Sequence, residues 1–375
     1  MNRRLFTLAD RGRQTVAHQS ANKKPYLMLV TFGAPQFDGW TAEQFGAAAD
    51  WPYDGVASWL VDAYNAEPVV RSQQLAKCVR SVGKDGGGRI WPWVFLNRIV
   101  AQDEKQRHVS SGAENYFNDI NAVDLDDQAG ALSDFLELWR LALVSAKETG
   151  APGVALDLET YNDNYNTSKA YMIDEVAKQR GETTDSVVAK LETIGELMAD
   201  AVAKEYPEAV IWAFFANLGS TVETGLCTHD FLCRGLLSGL KQLGTSAVLV
   251  DGGELPLGHH HPSPEAFDQA MDRFAERTAS IAAEYPVHLL LGATLAPYHE
   301  PDRITGWARE MSENGGRVFN NAAEFLPVVK KIFERCEHVW IYGGQLAHYM
   351  PFDSKERTTN DAIHTMLTQA LTDCD

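Results

Sequence analysis

Two carboxylates stand two residues apart in the stretch 153–162, which reads GVALDLETYN. In an extended strand successive side chains point to opposite faces, so Asp157 and Glu159 share one face with the small Ala155. The opposite face is apolar and carries Val154, Leu156 and Leu158. Neighbouring carboxylates disfavour each other's ionisation, which raises one pKa toward the range that a general acid needs. The alternative is a structural acidic pair on a half-exposed strand.

The elements around this stretch alternate along the chain. Short apolar runs bounded by turn residues are followed by longer segments with helical period, which predicts βα units and a parallel sheet. The predicted strands are 26–32, 54–59, 90–97, 153–162, 210–215, 247–251, 287–294 and 338–342. Eight strand and helix pairs close a (β/α)8 TIM barrel, an α/β fold whose active sites lie at the carboxyl ends of the strands. An open doubly wound sheet is the alternative, but the sequence has no Gly-rich nucleotide motif.

Helices are predicted between these strands, and two of them carry clear end signals. The predicted ranges are 41–49, 72–82, 128–149, 187–202, 231–242, a helix opening at 264, 322–336 and 360–371. Asp127 and Gly150 suit the two ends of the third helix, while Ser263 followed by Pro264 predicts an N-cap and a first helical residue. The long segments after strands three to seven predict long βα loops on the C-terminal face, including a long loop from strand four to the helix near Val187.

Length and charge favour one acidic domain. The chain has 375 residues and a net charge of -18, which argues against a nucleic-acid partner or an anionic membrane surface. Residues 1–24 form a basic stretch with Arg3, Arg4, Arg11 and Arg13 against only Asp10. We therefore expect a mobile N-terminal arm over 1–24 and a single catalytic barrel over 25–375.

The cysteine pattern indicates the cellular compartment in which the protein is expected. Five cysteines, an odd number, show no C-x-x-C pair, which favours free thiols and a cytoplasmic location over a disulfide framework. A secreted or periplasmic location is the alternative if a signal peptide has been removed. The sequence has no run of about 18 apolar residues, so no transmembrane helix is expected. It makes no prediction of the oligomeric state.

Polar and aromatic residues follow the predicted strand ends, where a substrate would bind. They are Trp59, Asn97, Arg98, Tyr161, Asn217, Tyr298, Glu300, Tyr342 and Gln345. Amides, Arg and carboxylates can bond sugar hydroxyls, and Trp and Tyr offer flat apolar faces to sugar rings. This mixture favours a carbohydrate substrate, although each aromatic residue could equally be wall packing.

Glycoside hydrolysis requires one carboxylic acid to protonate the leaving oxygen and a second carboxylate as nucleophile or base. We assign Glu159 as the general acid and Asp157 as its partner or nucleophile. Asp251 or Glu254, in the turn Asp251-Gly-Gly-Glu254, is the next candidate for the second carboxylate. The alternative for Asp251 is a turn former, because Asp-Gly is itself a turn signal. Glu300 is a third candidate.

Neither a metal nor another cofactor is expected. The run His259-His260-His261 invites a metal interpretation, but three adjacent histidines cannot easily turn to one ion. A lysine at a strand end, which Schiff-base chemistry would need, is also missing, because Lys241 and Lys331 fall in predicted helices.

Three short motifs resemble those of barrel glycoside hydrolases in general. They are Tyr53-Asp54-Gly55-Val56, Leu156-Asp157-Leu158-Glu159 and Val339-Trp340-Ile341-Tyr342-Gly343. The Asp-x-Glu spacing is similar to the end of the chitinase-like D-x-x-D-x-D-x-E signature, which implies the acid role for Glu159. Its two earlier positions are Pro152 and Ala155 here, so no single family is assigned. The alternatives are a barrel polysaccharide lyase or isomerase, and a non-catalytic carbohydrate-binding barrel.

Overall fold

A computed structural model of the chain describes nine ranges of residues. They are 24–31, 52–58, 90–95, 131–158, 172–221, 225–258, 261–295, 322–342 and 357–373. The predicted arm over 1–24 lies outside these ranges apart from Lys24, as do the predicted helices at 41–49 and 72–82. The domain boundaries predicted from the sequence therefore stay predictions.

Nine strand segments in the described ranges form one parallel sheet. They are β1 (Tyr26–Thr31), β2 (Gly55–Ser58), β3 (Ile90–Phe95), β4 (Gly153–Asp157), β5 (Val210–Ala213), β6 (Val248–Asp251), β7 (Leu289–Leu291), β8 (Ala293–Leu295) and β9 (His338–Tyr342). Their order is β7-β6-β5-β4-β3-β2-β1-β9-β8. Each predicted strand is present, with ends shifted by no more than a few residues except in the fourth, which ends at Asp157.

Gly292 closes the sheet into a barrel. The two strands at the ends of the sheet, β7 and β8, are halves of one predicted strand that meet at this residue. The first half pairs with β6 and the second with β9, and the Gly292 N–H donates to the Asp251 carbonyl at 2.8 Å. A Cβ at this position would lie 3.0 Å from the His338 carbonyl oxygen. The sheet is thus a closed eight-stranded parallel barrel, which confirms the predicted (β/α)8 fold.

The barrel interior alternates large and small side chains around its circumference. Ala155 of β4 lies in register between Trp93 of β3 and Trp212 of β5, and all three belong to the interior cluster. The opposite face of β4 packs against the helices through Val154, Leu156 and Leu158. The predicted faces of this strand are therefore confirmed, and the indoles beside it fill the space that Ala155 leaves.

Eight helices in the described ranges follow the strands. They are α1 (Ala131–Thr149), α2 (Ile173–Arg180), α3 (Thr184–Glu205), α4 (Thr228–Gln242), α5 (Glu254–Leu257), α6 (Pro264–Glu284), α7 (Ala322–Arg335) and α8 (Arg357–Asp373). The predicted start of α6 is confirmed, because Ser263 is its N-cap and accepts a hydrogen bond from the Ala266 N–H. Helix α1 ends before Gly150, whose φ is 76°, as predicted.

Helix α2 corrects the sequence interpretation, which treated the whole segment before Val187 as loop. It has only eight residues, so its apolar period is too short to stand out from a polar loop. Its end signals are nevertheless present: Asp174 in the first turn, Arg180 in the last and Gly181 as a left-handed C-cap.

Helices α3 and α4 pack with their backbones in close approach. A Cβ on Gly195 would overlap the Leu232 carbonyl oxygen, and a Cβ on Gly235 would overlap the Glu192 carbonyl oxygen. These glycines allow the outer layer to cover strands four and five, whose outward residues belong to the same apolar cluster. Within the described residues no helix is long and apolar enough to span a membrane.

Candidate functional site

Asp157 is a buried carboxylate at the carboxyl end of a central barrel strand. It is the last residue of β4 and only 3% exposed. Its side chain has the same direction along the strand as Ala155, which lies in the interior cluster. An acid at this end of a parallel barrel lies where the chemistry of such barrels takes place. The structure thus places Asp157 at the carboxyl end of β4 on the interior face, and its catalytic role stays a prediction.

Three aromatic rings cross the barrel interior near Asp157. The Trp93 and Phe214 rings meet edge to face with centroids 5.7 Å apart, and Phe214 stacks on Trp340 at 4.6 Å. Phe214 adjoins β4 directly, since its N–H donates to the Leu156 carbonyl at 3.0 Å. All three rings are buried. They form an apolar layer, called here the aromatic layer, that keeps the site's surroundings poorly hydrated.

The turn after β6 brings a second carboxylate to the same end of the barrel. Gly252 N–H donates to the Ala213 carbonyl at 2.7 Å, and Glu254 N–H donates to the Phe214 carbonyl at 3.3 Å. The backbone of Glu254 therefore lies beside the end of β5, next to the strand that carries Asp157. Burial raises the pKa of the half-buried Glu254 carboxyl to about 8. A raised pKa favours the protonated form, which is the form that a general acid needs.

Asp251 is placed differently from the other acids. Along β6, Val248 and Val250 face the barrel interior, whereas Leu249 belongs to the outer layer, and Asp251 follows the direction of Leu249. Its fully buried carboxylate accepts hydrogen bonds from the N–H groups of Leu218 at 3.1 Å and Gly253 at 3.0 Å. The structure therefore directs this carboxylate away from the interior that Asp157 faces. That placement fits the turn-forming alternative.

Two of the predicted sugar-binding residues lie in the described ranges. Tyr342 ends β9, is half-buried and packs against the interior cluster, so it does lie at the barrel mouth. Asn217 follows β5 with a positive φ of 50°. Burial raises the pKa of the Cys227 thiol, and the Asn217 side chain partly offsets that rise. Asn217 is thus engaged within the loop that leads to α4.

The other predicted site residues lie outside the described ranges. They are Trp59, Asn97, Arg98, Glu159, Tyr161, Tyr298, Glu300 and Gln345. Their assignments, including Glu159 as the general acid, stay predictions.

Sequence reasoning did not single out the aromatic layer as part of the site. The sequence pattern that indicates this layer most clearly is in β9, where the alternation of side chains puts His338, Trp340 and Tyr342 on one face. The Trp340 indole N–H donates to the Gly252 carbonyl at 2.8 Å, which joins the last strand to the turn that carries Glu254. Neither the ring stacking nor this bond could be read from a strand in isolation.

Among the described side chains, no group of three or more His, Cys, Asp or Glu residues could hold a metal ion. His261, the described member of the histidine run, is buried and meets the Phe267 ring edge to face.

Comparison with known proteins finds several solved structures that resemble the chain at low similarity. No protein-family model matches the sequence, and no curated protein is significantly similar to it. One solved structure that it resembles is a GH5-4 broad-specificity endoglucanase from an uncultured bacterium, with 11% identity, coverage of 93% of this chain and 91% of that one, and a TM-score of 0.48.

Two further solved structures have similar values. An exo-beta-1,4-mannosidase from Opitutaceae bacterium strain TAV5 has 12% identity, coverage of 95% and 62%, and a TM-score of 0.46. A GH10 endoxylanase from a sugarcane soil metagenome has 10% identity, coverage of 86% of both chains, and a TM-score of 0.40. At these identities and TM-scores the likeness assigns no activity to the chain.

Proposed function

We propose that the chain is a glycoside hydrolase that cleaves a poly- or oligosaccharide by carboxylate acid/base catalysis. The observation that carries the proposal is the buried carboxylate of Asp157, directed into a closed barrel at the carboxyl end of β4. Hydrolysis of a glycosidic bond needs such a group, either as nucleophile or as the base that activates water. It also needs a protonated carboxylic acid nearby.

In this proposal Glu159 is the general acid, two residues beyond Asp157 in the chain. Glu254 is the second candidate for that role, because burial raises its pKa to about 8 and its backbone is bonded to the end of β5. Two carboxyl groups with different affinities for a proton are what acid/base catalysis at neutral pH requires. In this proposal Asp251 is not given the role of second carboxylate, because its carboxylate accepts bonds from two backbone N–H groups in the outer layer.

The test is the release of reducing sugar from a panel of neutral and acidic polysaccharides. Wild type is compared with Asp157→Asn, Glu159→Gln and Glu254→Gln, with Asp268→Asn as the control. Asp268 is bonded to Arg335 on the outer helices, so its variant should keep full activity. We expect Asp157→Asn and Glu159→Gln each to lose about 10²-fold or more, the scale of general acid and base catalysis.

Each result has a defined consequence. Loss in Glu254→Gln with full activity in Glu159→Gln would move the acid to Glu254. Retention of activity by all three variants would show that other residues catalyse cleavage of the glycosidic bond. A wild type that binds a polysaccharide without cleaving it would overturn the hydrolase in favour of a carbohydrate-binding barrel.

A further inference from the structure

Asp251 connects two loops at the carboxyl end of the barrel. Its Oδ2 accepts from the Leu218 N–H, in the loop after β5, and its Oδ1 accepts from the Gly253 N–H, in the turn after β6. The side chain itself is completely buried. Because a buried carboxylate is costly unless its oxygens are bonded, both loops are held at the positions where they donate these bonds.

The turn that Asp251 holds leads directly to Glu254. Gly253 adopts the left-handed conformation with φ of 75°, and a Cβ there would lie 2.8 Å from the Leu257 Cδ1 atom. Gly252 is held from the other side, where the Trp340 indole N–H bonds its carbonyl. With these constraints on the two preceding residues, the backbone at Glu254 has little freedom to move.

The charges around Asp251 come from the helices outside the barrel. Burial raises the pKa of its carboxyl to about 6, while the bonds from Gly253 and Leu218 and the Arg277 charge of α6 lower it. Asp230 of α4 is the nearby acid that opposes ionisation. The carboxylate is therefore ionised at neutral pH and can accept both backbone bonds at once.

We propose that Asp251 is a positioning residue that holds the Gly252-Gly253 turn and thereby sets the place of the Glu254 carboxyl at the barrel mouth. This inference rests on the second candidate within the proposed function, in which Glu254 and not Glu159 is the general acid. Asp251 touches neither substrate nor reacting atoms. It acts through the backbone that leads to Glu254.

Asp230 provides a matched control. It is also a buried carboxylate that bonds the loop after β5, accepting from the Gly219 N–H at 3.2 Å and the Ser220 hydroxyl at 2.9 Å. It also accepts a bond from Arg234 of its own helix, and none of these bonds reaches the turn after β6. Asp230→Asn should therefore destabilise the fold as Asp251→Asn does without moving Glu254.

The experiment measures kcat and KM for Asp251→Asn and Asp230→Asn on the sugar that wild type cleaves, together with thermal unfolding. Asparagine keeps one acceptor oxygen, so one of the two bonds is lost. A displaced reacting group lowers the rate by about tenfold to hundredfold. We expect that fall in kcat for Asp251→Asn with KM within about twofold, and kcat close to wild type for Asp230→Asn at a similar loss of melting temperature.

A second variant covers the case in which Asp251→Asn does not fold. Gly253→Ala leaves the bond from Asp251 to Leu218 in place but strains the turn, because φ is positive and the added Cβ meets Leu257. We expect the same fall in kcat with unchanged KM. If kcat in Asp251→Asn, or failing that in Gly253→Ala, falls no further than in Asp230→Asn, the positioning role is overturned.

Failure of this inference can be told apart from failure of the proposed function. If Glu254→Gln keeps wild-type kcat, the turn carries no reacting group and the inference fails, while Asp157→Asn still tests the hydrolase. If wild type cleaves no polysaccharide, the hydrolase fails, and amide hydrogen exchange tests what Asp251 holds. Faster exchange at Gly253 and Leu218 in Asp251→Asn supports the anchoring of the turn, and unchanged exchange overturns it.

Discussion

The Trp340 indole N–H donates to the carbonyl oxygen of Gly252 at 2.8 Å. This buried bond joins the inward face of β9 to the turn after β6. It also fixes the ring that stacks on Phe214. One side chain thus connects the aromatic layer to the turn that leads to Glu254.

Loss of this bond should lower the free energy of unfolding by a measurable amount. Trp340→Phe keeps an aromatic ring over Phe214 but leaves the Gly252 carbonyl without its donor, so we expect a loss of about 1 to 3 kcal/mol in the free energy of unfolding. The comparison is Trp212→Phe, because the Trp212 Nε1 atom has no hydrogen-bond partner among the described residues. Both substitutions remove part of an indole ring, but only Trp340→Phe also removes a hydrogen bond. The difference between their free energies of unfolding in denaturant therefore measures the bond, and equal losses would contradict the prediction.

The Glu254 carboxyl should make stability depend on pH. Its pKa is raised by burial to about 8, so between its ordinary value near 4.3 and pH 8 the folded chain binds more protons than the unfolded one. The free energy of unfolding should therefore fall as pH rises through this window, with a slope of at most about 1.4 kcal/mol per pH unit.

Glu254→Gln isolates that contribution. Its free energy of unfolding is subtracted from that of wild type at pH 5, 6.5 and 8. We expect this difference to become less favourable to wild type as pH rises. Glu182 serves as the contrast, because its pKa is lowered to about 2, first by the bond from Lys190, and its contribution is lost only below its ordinary pKa. A difference between wild type and Glu254→Gln that stays flat from pH 5 to 8 would contradict the raised pKa.

Gly235 should not tolerate even one added methyl group. Helix propensity alone favours alanine over glycine by about 1 kcal/mol, yet a Cβ at Gly235 would overlap the Glu192 carbonyl oxygen on α3. We expect Gly235→Ala to lose about 1 to 3 kcal/mol in the free energy of unfolding, the usual cost of overpacking. Gln242→Ala at the exposed end of the same helix is the control and should stay within about 0.5 kcal/mol of wild type. A stabilised Gly235→Ala would show that the helices can separate at no cost.

The N-cap of α6 offers a stability test away from the site. The Ser263 hydroxyl accepts from the Ala266 N–H at 3.2 Å, so Ser263→Ala should lower the free energy of unfolding by about 1 kcal/mol. Ser263→Asp should keep the cap and stay close to wild type. Thermal or denaturant unfolding measures both variants, and an equal loss in alanine and aspartate would show that the hydroxyl is not the stabilising group.

Some features of the barrel could be predicted from particular residues. In β4 the two faces differ in chemistry, since three branched apolar residues alternate with Ala155 and Asp157, and the face toward the helices could be identified correctly. In β6 the residues before Asp251 are apolar on both faces, because both faces of this strand are buried and neither has to be polar. Alternation alone could therefore not show that Asp251 faces outward, and its prediction as a catalytic candidate rested on its position at the strand end.

The sequence by itself determined the alternation of strands with the longer described helices, the cap at Ser263 and the inward direction of Asp157, because these depend on local periodicity and on bonds between residues close in the chain. Only the tertiary structure decided that Gly292 joins β6 to β9, that Trp340 holds Gly252, and that Asp251 bonds Leu218. Those three features depend on backbone groups that are far apart in sequence and meet only when the sheet closes. Side-chain periodicity does not encode where such groups meet.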